Sequence, residues 1–120
     1  MRFERELKPY AEYVRIRELK AGHVYYTVGF ADEAMLTPSL EPVVYIGSDV
    51  AFGVEKAYFQ NICAYQYGMR FDPANEKDAW AFQAIEVGKN GEINGVCHYE
   101  QALEVLMRCS MRRTKAASAV

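Results

Sequence analysis

The sequence predicts a small α+β domain, in which a curled antiparallel sheet of about five strands is closed by one C-terminal amphipathic helix. In residues 24–30 every second side chain is large and apolar, the period of a β-strand. Residues 99–112 instead repeat apolar side chains at intervals of three and four, as a helix with one buried face does. A chain of 120 residues, 51% of them hydrophobic, is long enough to bury one core.

The region before the first strand allows two structures. In residues 4–20, Leu7, Tyr10 and Val14 have helical spacing, but Pro9 interrupts it. Either a short helix or an extended arm therefore precedes the strand.

Three further strands are predicted from composition. Residues 43–46 are β-branched at three of four positions, whereas residues 37–42 contain two prolines and are expected to be extended and irregular. Residues 55–67 have both a helical stripe and a strand-like alternation, and their density of tyrosine and phenylalanine favours a strand. Residues 80–87 are the next predicted strand, although their alanines would also suit a helix.

Two dipeptides predict turns. Asp72 and Pro73 form an N-cap and first-turn pair, which indicates one short helical turn. Asn90 and Gly91 predict a type I′ hairpin, because both central residues of that turn need a positive φ.

The last predicted element is the C-terminal helix, which we expect to pack on one face of the sheet. Its predicted packing stripe comprises Tyr99, Ala102, Leu103, Leu106, Met107 and Ser110. For the sheet, a small SH3-like barrel is the preferred architecture and an open roll is the alternative. The predicted domain covers residues 1–113, followed by a flexible tail at residues 114–120.

The distribution of charge argues against a nucleic-acid-binding function. The net charge of −2 divides into +2 over residues 1–20, −8 over residues 21–104 and +4 over residues 105–120. Phosphate binding depends on lysine and arginine, so acidic central strands are a poor nucleic-acid surface. RNA binding through the basic ends, with Arg112 and Arg113, remains a minor alternative.

Several observations predict a cytoplasmic protein. No apolar run approaches the ~20 residues of a membrane helix, and the N-terminus mixes charges where a secretory signal has an apolar segment. The cysteine count is odd, without Cys-x-x-Cys spacing, which favours free thiols in a reducing compartment.

No catalytic residue, metal site or cofactor is predicted. The two histidines, His23 and His98, lack partners at metal-ligand spacing, and we expect them to be surface or capping residues. The glycines form neither a dinucleotide-binding fingerprint nor a P-loop. One alternative is kept open: a ligand-binding or enzymatic site under the last helix that uses His98, Cys97 or Tyr99.

The nine tyrosines suggest a binding surface. If Val24, Tyr26 and Val28 face the core, Tyr25 faces outward, and Tyr45 does so if Val44 is buried. Exposed tyrosines on a sheet are common anchors of protein interfaces. The sequence therefore predicts a non-enzymatic interaction module, such as an adaptor, an inhibitor or an immunity-like protein, which binds an unidentified protein partner through Tyr25 and Tyr45.

Overall fold

An open five-stranded antiparallel sheet, with one long helix packed on it, forms the body of the protein. The computed structural model describes residues 12–70 and 81–118. In chain order its elements are a 3-10 helix at Ile16–Glu18, β1 Val24–Phe30, β2 Pro38–Ala51, β3 Val54–Asn61, α1 Ile62–Gln66, β4 Phe82–Glu86, β5 Val96–Cys97 and α2 Tyr99–Ser118.

The sheet has the order β4-β3-β2-β1-β5 and does not close. The predicted α+β class, the antiparallel sheet and the closing C-terminal helix are confirmed, whereas the SH3-like barrel is wrong. Closure requires the two outer strands to pair along matching lengths. Here β5 has two residues and β4 has five, and they stand at opposite ends of the strand order.

Strand β2 is much longer than the four residues predicted, and it includes both prolines. Pro38 and Pro42 pair with β1, at Phe30 and Tyr26. Pairing of β2 with β3 begins only at Val43, so the proline-containing half of β2 has one neighbouring strand. A proline is tolerated there because its missing N–H can face the unpaired side.

Residues 55–67, whose pattern suited both a strand and a helix, form most of a strand followed by a short helix. Strand β3 ends at Asn61, whose side-chain oxygen accepts hydrogen bonds from the backbone N–H groups of Cys63 and Ala64 at 2.8 and 3.3 Å. This cap starts the one-turn helix α1. The predicted strand at residues 80–87 is confirmed as β4, and the predicted turn at Asp72 lies outside the described residues.

The described part of the N-terminal region is an arm, not an α-helix. Val14 is hydrogen-bonded through its backbone N–H to Val96 and through its carbonyl to Ile93. The side chain of Val14 is fully buried, so this arm belongs to the core.

The turn at Asn90 and Gly91 differs from the predicted type I′ hairpin. Gly91 has a φ of 74°, but Asn90 is not among the described residues with a positive φ. The N–H of Gly91 donates to the carbonyl of Gly88, and the N–H of Gly88 donates to the carbonyl of Glu92, both at 2.9 Å. One extra residue lies inside this turn, so the chain reverses as a three-residue loop with glycine in the left-handed position.

Both faces of the sheet are covered, which corrects the predicted orientation of Tyr25 and Tyr45. One face carries the larger cluster, made of Val14, Tyr25, Val43, Tyr45, Ala57, Phe59, Ile93 and Val96. The other face packs against α2 through Cys97, Ala102, Val105 and Cys109, joined by Tyr13, Tyr26, Val28, Phe30 and Leu40. Within β1, Tyr25 therefore enters one core, whereas Tyr26, Val28 and Phe30 enter the other.

Helix α2 is confirmed and is longer than predicted. It continues to Ser118, beyond the predicted end at residue 112, while the flexibility of residues 114–120 stays a prediction. The grouping of residues 1–113 as one domain stays a prediction. No helix in the described part of the chain is both long and apolar enough to span a bilayer.

Candidate functional site

The predicted anchors Tyr25 and Tyr45 are core residues. Their side chains are only 7% and 8% exposed, and the Tyr45 ring packs against Phe59 with 5.6 Å between centroids. The hydroxyl oxygen of Tyr25 accepts a hydrogen bond from the backbone N–H of Lys20 at 2.9 Å. The expected solvent-facing orientation was wrong, while a role in partner binding stays a prediction.

The predicted capping role of His98 is confirmed. Its Nδ1 accepts hydrogen bonds from the N–H groups of Glu100 and Gln101, each at 3.2 Å, and its own N–H donates to Oε1 of Gln101 at 3.1 Å. This reciprocal pair satisfies the first donors of α2, as a capping box does. Nδ1 of His98 therefore serves as the hydrogen-bond acceptor that caps the N-terminus of α2.

Cys97 is placed beside His98 but is poorly suited to nucleophilic chemistry. The side chain is fully buried, and burial raises the pKa of its thiol to about 12. The thiolate, which is the nucleophilic form, is suppressed at neutral pH. Within residues 12–70 and 81–118, no group of three His, Cys, Asp or Glu residues is arranged to hold a metal ion.

Arg112, which the RNA-binding alternative used, has a structural role. Its guanidinium donates two hydrogen bonds to the carbonyl of Met35, at 2.9 and 3.1 Å, and it lies 5.9 Å from the ring centroid of Phe30. These contacts tie α2 to the loop between β1 and β2. Arg112 is thus directed at the protein's own backbone.

The face of α2 that packs on the sheet is not the predicted one. Its buried residues are Gln101, Ala102, Glu104, Val105 and Cys109. Only Ala102 belongs to the stripe that the sequence predicted to be buried.

The rest of that stripe points away from the packed face. We define the outer stripe of α2 as Tyr99, Leu103, Leu106, Met107, Ser110 and Met111. Tyr99, Leu106 and Met111 are 71%, 40% and 60% exposed, Ser110 is exposed, and Leu103 and Met107 are half-buried. A surface helix ordinarily carries polar side chains opposite its packed face. α2 therefore has apolar side chains on both sides.

An apolar groove borders the outer stripe where α2 meets the sheet. The groove is open to solvent, has a volume of about 280 Å³ and is lined by Tyr26, Leu40, Tyr99, Glu100, Ala102, Leu103 and Leu106. The rings of Tyr26 and Tyr99 are 5.2 Å apart and tilted by 58°. A hydrogen bond between their hydroxyl groups raises the pKa of Tyr26.

Charge is segregated along α2. Glu100 is exposed in the first turn, whereas Arg113 and Lys115 are exposed near the other end. The acidic residue lies at the helix N-terminus and the basic residues towards the C-terminus, which also suits the helix dipole. Helix α2 is therefore acidic near its N-terminus and basic near its C-terminus.

A second exposed apolar feature is the tip of the β2–β3 hairpin. Phe52 and Gly53 form a two-residue loop with φ angles of 54° and 76°. Phe52 is fully exposed, as is much of Val50. Sequence reasoning missed this turn because phenylalanine is an unusual residue at a positive φ.

Comparisons with known protein families, with curated proteins and with solved structures find no match to this chain.

Proposed function

We propose that this chain is a non-enzymatic protein-binding module, and that it binds its partner along the outer stripe of α2 and the groove beside it. One observation carries the proposal: α2 exposes Tyr99, Leu106 and Met111 on the side opposite its packed core face. Contiguous exposed apolar surface is characteristic of an interaction site.

The residue types also fit an interface. Tyrosine and methionine are enriched at protein interfaces, and energetically dominant residues cluster around a pocket that excludes water. Here Tyr99, Leu103 and Leu106 line an apolar groove, together with Glu100. An apolar helical segment of a partner would lie along the stripe as a helix does in a groove.

Site-directed photo-crosslinking tests the proposal. A photoreactive phenylalanine analogue is placed at position 99 and, as a matched control, at position 67. Both positions hold exposed tyrosines, but Tyr67 follows α1 and lies off the stripe. After irradiation in the native host, we expect a discrete covalent protein adduct from position 99 and none from position 67.

A second substitution tests whether the adduct depends on the outer stripe. A Leu106→Glu substitution in the position-99 variant should remove the adduct, because a carboxylate in an apolar contact loses its hydration. Val54→Glu is the matched control, since Val54 and Leu106 are 38% and 40% exposed. Absence of any adduct at position 99, or the same adduct at position 67, would refute the proposed function.

A further inference from the structure

We propose that the tip of the β2–β3 hairpin, residues 50–54, inserts into the surface of an uncharged lipid bilayer. The insertion is shallow and reversible, and it does not span the bilayer. This hairpin tip is a different surface from the outer stripe of α2, so the inference goes beyond the proposed function. Three features support it: the projection of the hairpin, the chemistry of its side chains and the length of its apolar part.

The hairpin projects beyond the rest of the sheet. Within the part of the chain that the structure describes, backbone hydrogen bonds from the β1 side end at Tyr45, and those from the β4 side end at Glu55. Further out, β2 and β3 pair with each other. Every residue from 48 to 54 is exposed, and the hairpin tip belongs to neither core cluster.

Phe52 lies at the apex of the hairpin and contributes nothing to the packing of the fold. Its side chain is fully exposed. Its φ of 54° lies in the left-handed region, which a bulky residue adopts only at a cost in free energy. Asparagine or glycine would form the same turn with less strain. Because this side chain costs stability without entering a core, we infer that it has a role outside the fold.

The hairpin tip is apolar on both of its sides. None of its five residues carries a polar side chain. Side chains alternate along a strand, so Val50 lies on one side of the hairpin and the paired Ala51 and Val54 lie on the other. A protein pocket would have to be shaped to enclose such a protrusion from every direction. The hydrocarbon of a lipid surface surrounds an apolar protrusion without shape complementarity, because the hydrophobic effect is non-directional.

The length of the hairpin tip matches the depth of an interfacial insertion. The paired residues Asp49 and Lys56 mark its base, and three residues of extended chain, about 10 Å, separate Asp49 from Phe52. Interfacial segments are buried by about 5–10 Å. At that depth Asp49, Glu55 and Lys56 stay near the lipid headgroups, where charged side chains and the backbone of the turn keep their water.

The charges at the base favour an uncharged bilayer over an anionic one. Two of the three charged residues there, Asp49 and Glu55, are acidic and only Lys56 is basic. Attraction to anionic lipids needs a cluster of lysine and arginine near the membrane surface. A bilayer of zwitterionic phosphatidylcholine therefore presents the apolar surface that the hairpin tip fits, without repelling its base.

One hairpin tip should bind lipid weakly. A single myristoyl chain gives an association constant of about 10⁴ M⁻¹ with lipid, and these few side chains bury less hydrocarbon than that chain does. Half of the protein should therefore be bound only above about 0.1 mM accessible lipid. The contact exchanges rapidly and leaves the protein free to dissociate.

Flotation of the full chain with phosphatidylcholine vesicles tests the inference. The wild-type protein should float with vesicles at millimolar lipid, and Phe52→Asn should weaken this binding by at least about fivefold. Since asparagine suits this turn, the loss would not reflect unfolding. Tyr67→Asn is the matched control, because Tyr67 is an aromatic residue that is 89% exposed and lies away from the hairpin tip.

Fluorescence tests which residue enters the lipid. Phe52→Trp and Tyr67→Trp are each compared with the wild-type chain, which contains Trp80. On addition of vesicles, the tryptophan at position 52 should shift its emission to the blue and be quenched by phospholipids brominated on the acyl chains. The tryptophan at position 67 should do neither. Raising the salt concentration should leave binding in place, because it does not depend on charge.

The outcomes separate this inference from the proposed function. A wild-type chain that stays unbound at several millimolar lipid, or binding that Phe52→Asn leaves unchanged, overturns the inference. Binding to anionic vesicles alone overturns the uncharged bilayer. A photoreactive group at position 52 that crosslinks a protein in the native host, without vesicle binding, replaces the bilayer by a protein pocket. None of these results changes the adduct expected at position 99, which tests the outer stripe by itself.

Discussion

Backbone conformation, hydrogen bonding and burial determine the local roles of Phe52, His98 and Cys97. Phe52 adopts a left-handed backbone that asparagine or glycine would accept more easily. His98 starts α2 through its ring nitrogen, and Cys97 is held as a buried thiol. Each of these local roles has a measurable consequence.

Phe52→Asn should stabilise the protein. A two-residue loop with positive φ at both positions is the type I′ turn, for which Asn-Gly is the preferred pair. Since Phe52 is fully exposed and loses no packing, we expect the free energy of unfolding to rise by about 1 kcal/mol. Denaturation by urea measures the change. Gly53→Ala is the opposite control and should destabilise the turn.

His98→Ala should lower the free energy of unfolding by about 1 kcal/mol, because the first N–H donors of α2 lose their acceptor. His98→Asn should retain most of the stability, since an asparagine oxygen caps helices well. Urea denaturation of both variants provides the comparison. If asparagine were as damaging as alanine, the capping role would be wrong.

The thiols should differ in their reaction with iodoacetamide. Cys63 is exposed, whereas burial holds the pKa of Cys97 at about 12. In the native protein near neutral pH, Cys63 should be alkylated first and Cys97 only as the chain unfolds. Raising the pH from the ordinary thiol range towards 12 should destabilise the fold, because only the unfolded chain then releases this proton. Peptide mass spectrometry before and after addition of denaturant follows the alkylation.

Among the secondary-structure elements, α2 differs most from its prediction, because a different face of the helix packs on the sheet. Gln101, Ala102, Val105 and Cys109 face the sheet, so the more apolar outer stripe is left at the surface. Except for Ala102, the side chains of α2 that helical periodicity grouped together do share a face. Periodicity did not indicate which of two apolar faces the sheet would take.

Two alanine substitutions test this rotation. Val105→Ala should cost about 2 kcal/mol, because it removes buried methyl groups and leaves a cavity against the sheet. Leu106→Ala should cost less than about 1 kcal/mol, since that side chain is 40% exposed. Thermal or urea unfolding gives both values. If Leu106→Ala were more destabilising than Val105→Ala, the predicted stripe would be the face that packs on the sheet.

At the scale of the whole molecule, stability should concentrate in the middle of the sheet. Val43, Val44 and Phe59 are buried between layers, whereas the hairpin beyond Ser48 is largely exposed. Native-state hydrogen exchange should therefore find the slowest amides in the inner halves of β2 and β3, and faster exchange at residues 48–56. Uniform protection along both strands would contradict this division.

The local elements follow from patterns in the amino-acid sequence. Alternation at residues 24–30 predicted β1, the spacing of residues 99–112 predicted α2, and together they predicted the α+β class that the structure shows. These signals are local, because backbone geometry sets the period at which side chains recur.

Which faces are buried depends on long-range packing. Tyr25 lies in a core because the N-terminal arm covers its side of the sheet, and Leu106 is at the surface because α2 uses its other face. Periodicity shows which residues share a face, but burial depends on what a distant part of the chain places against it. Where both faces of an element are apolar, only that packing distinguishes the core from the candidate interface.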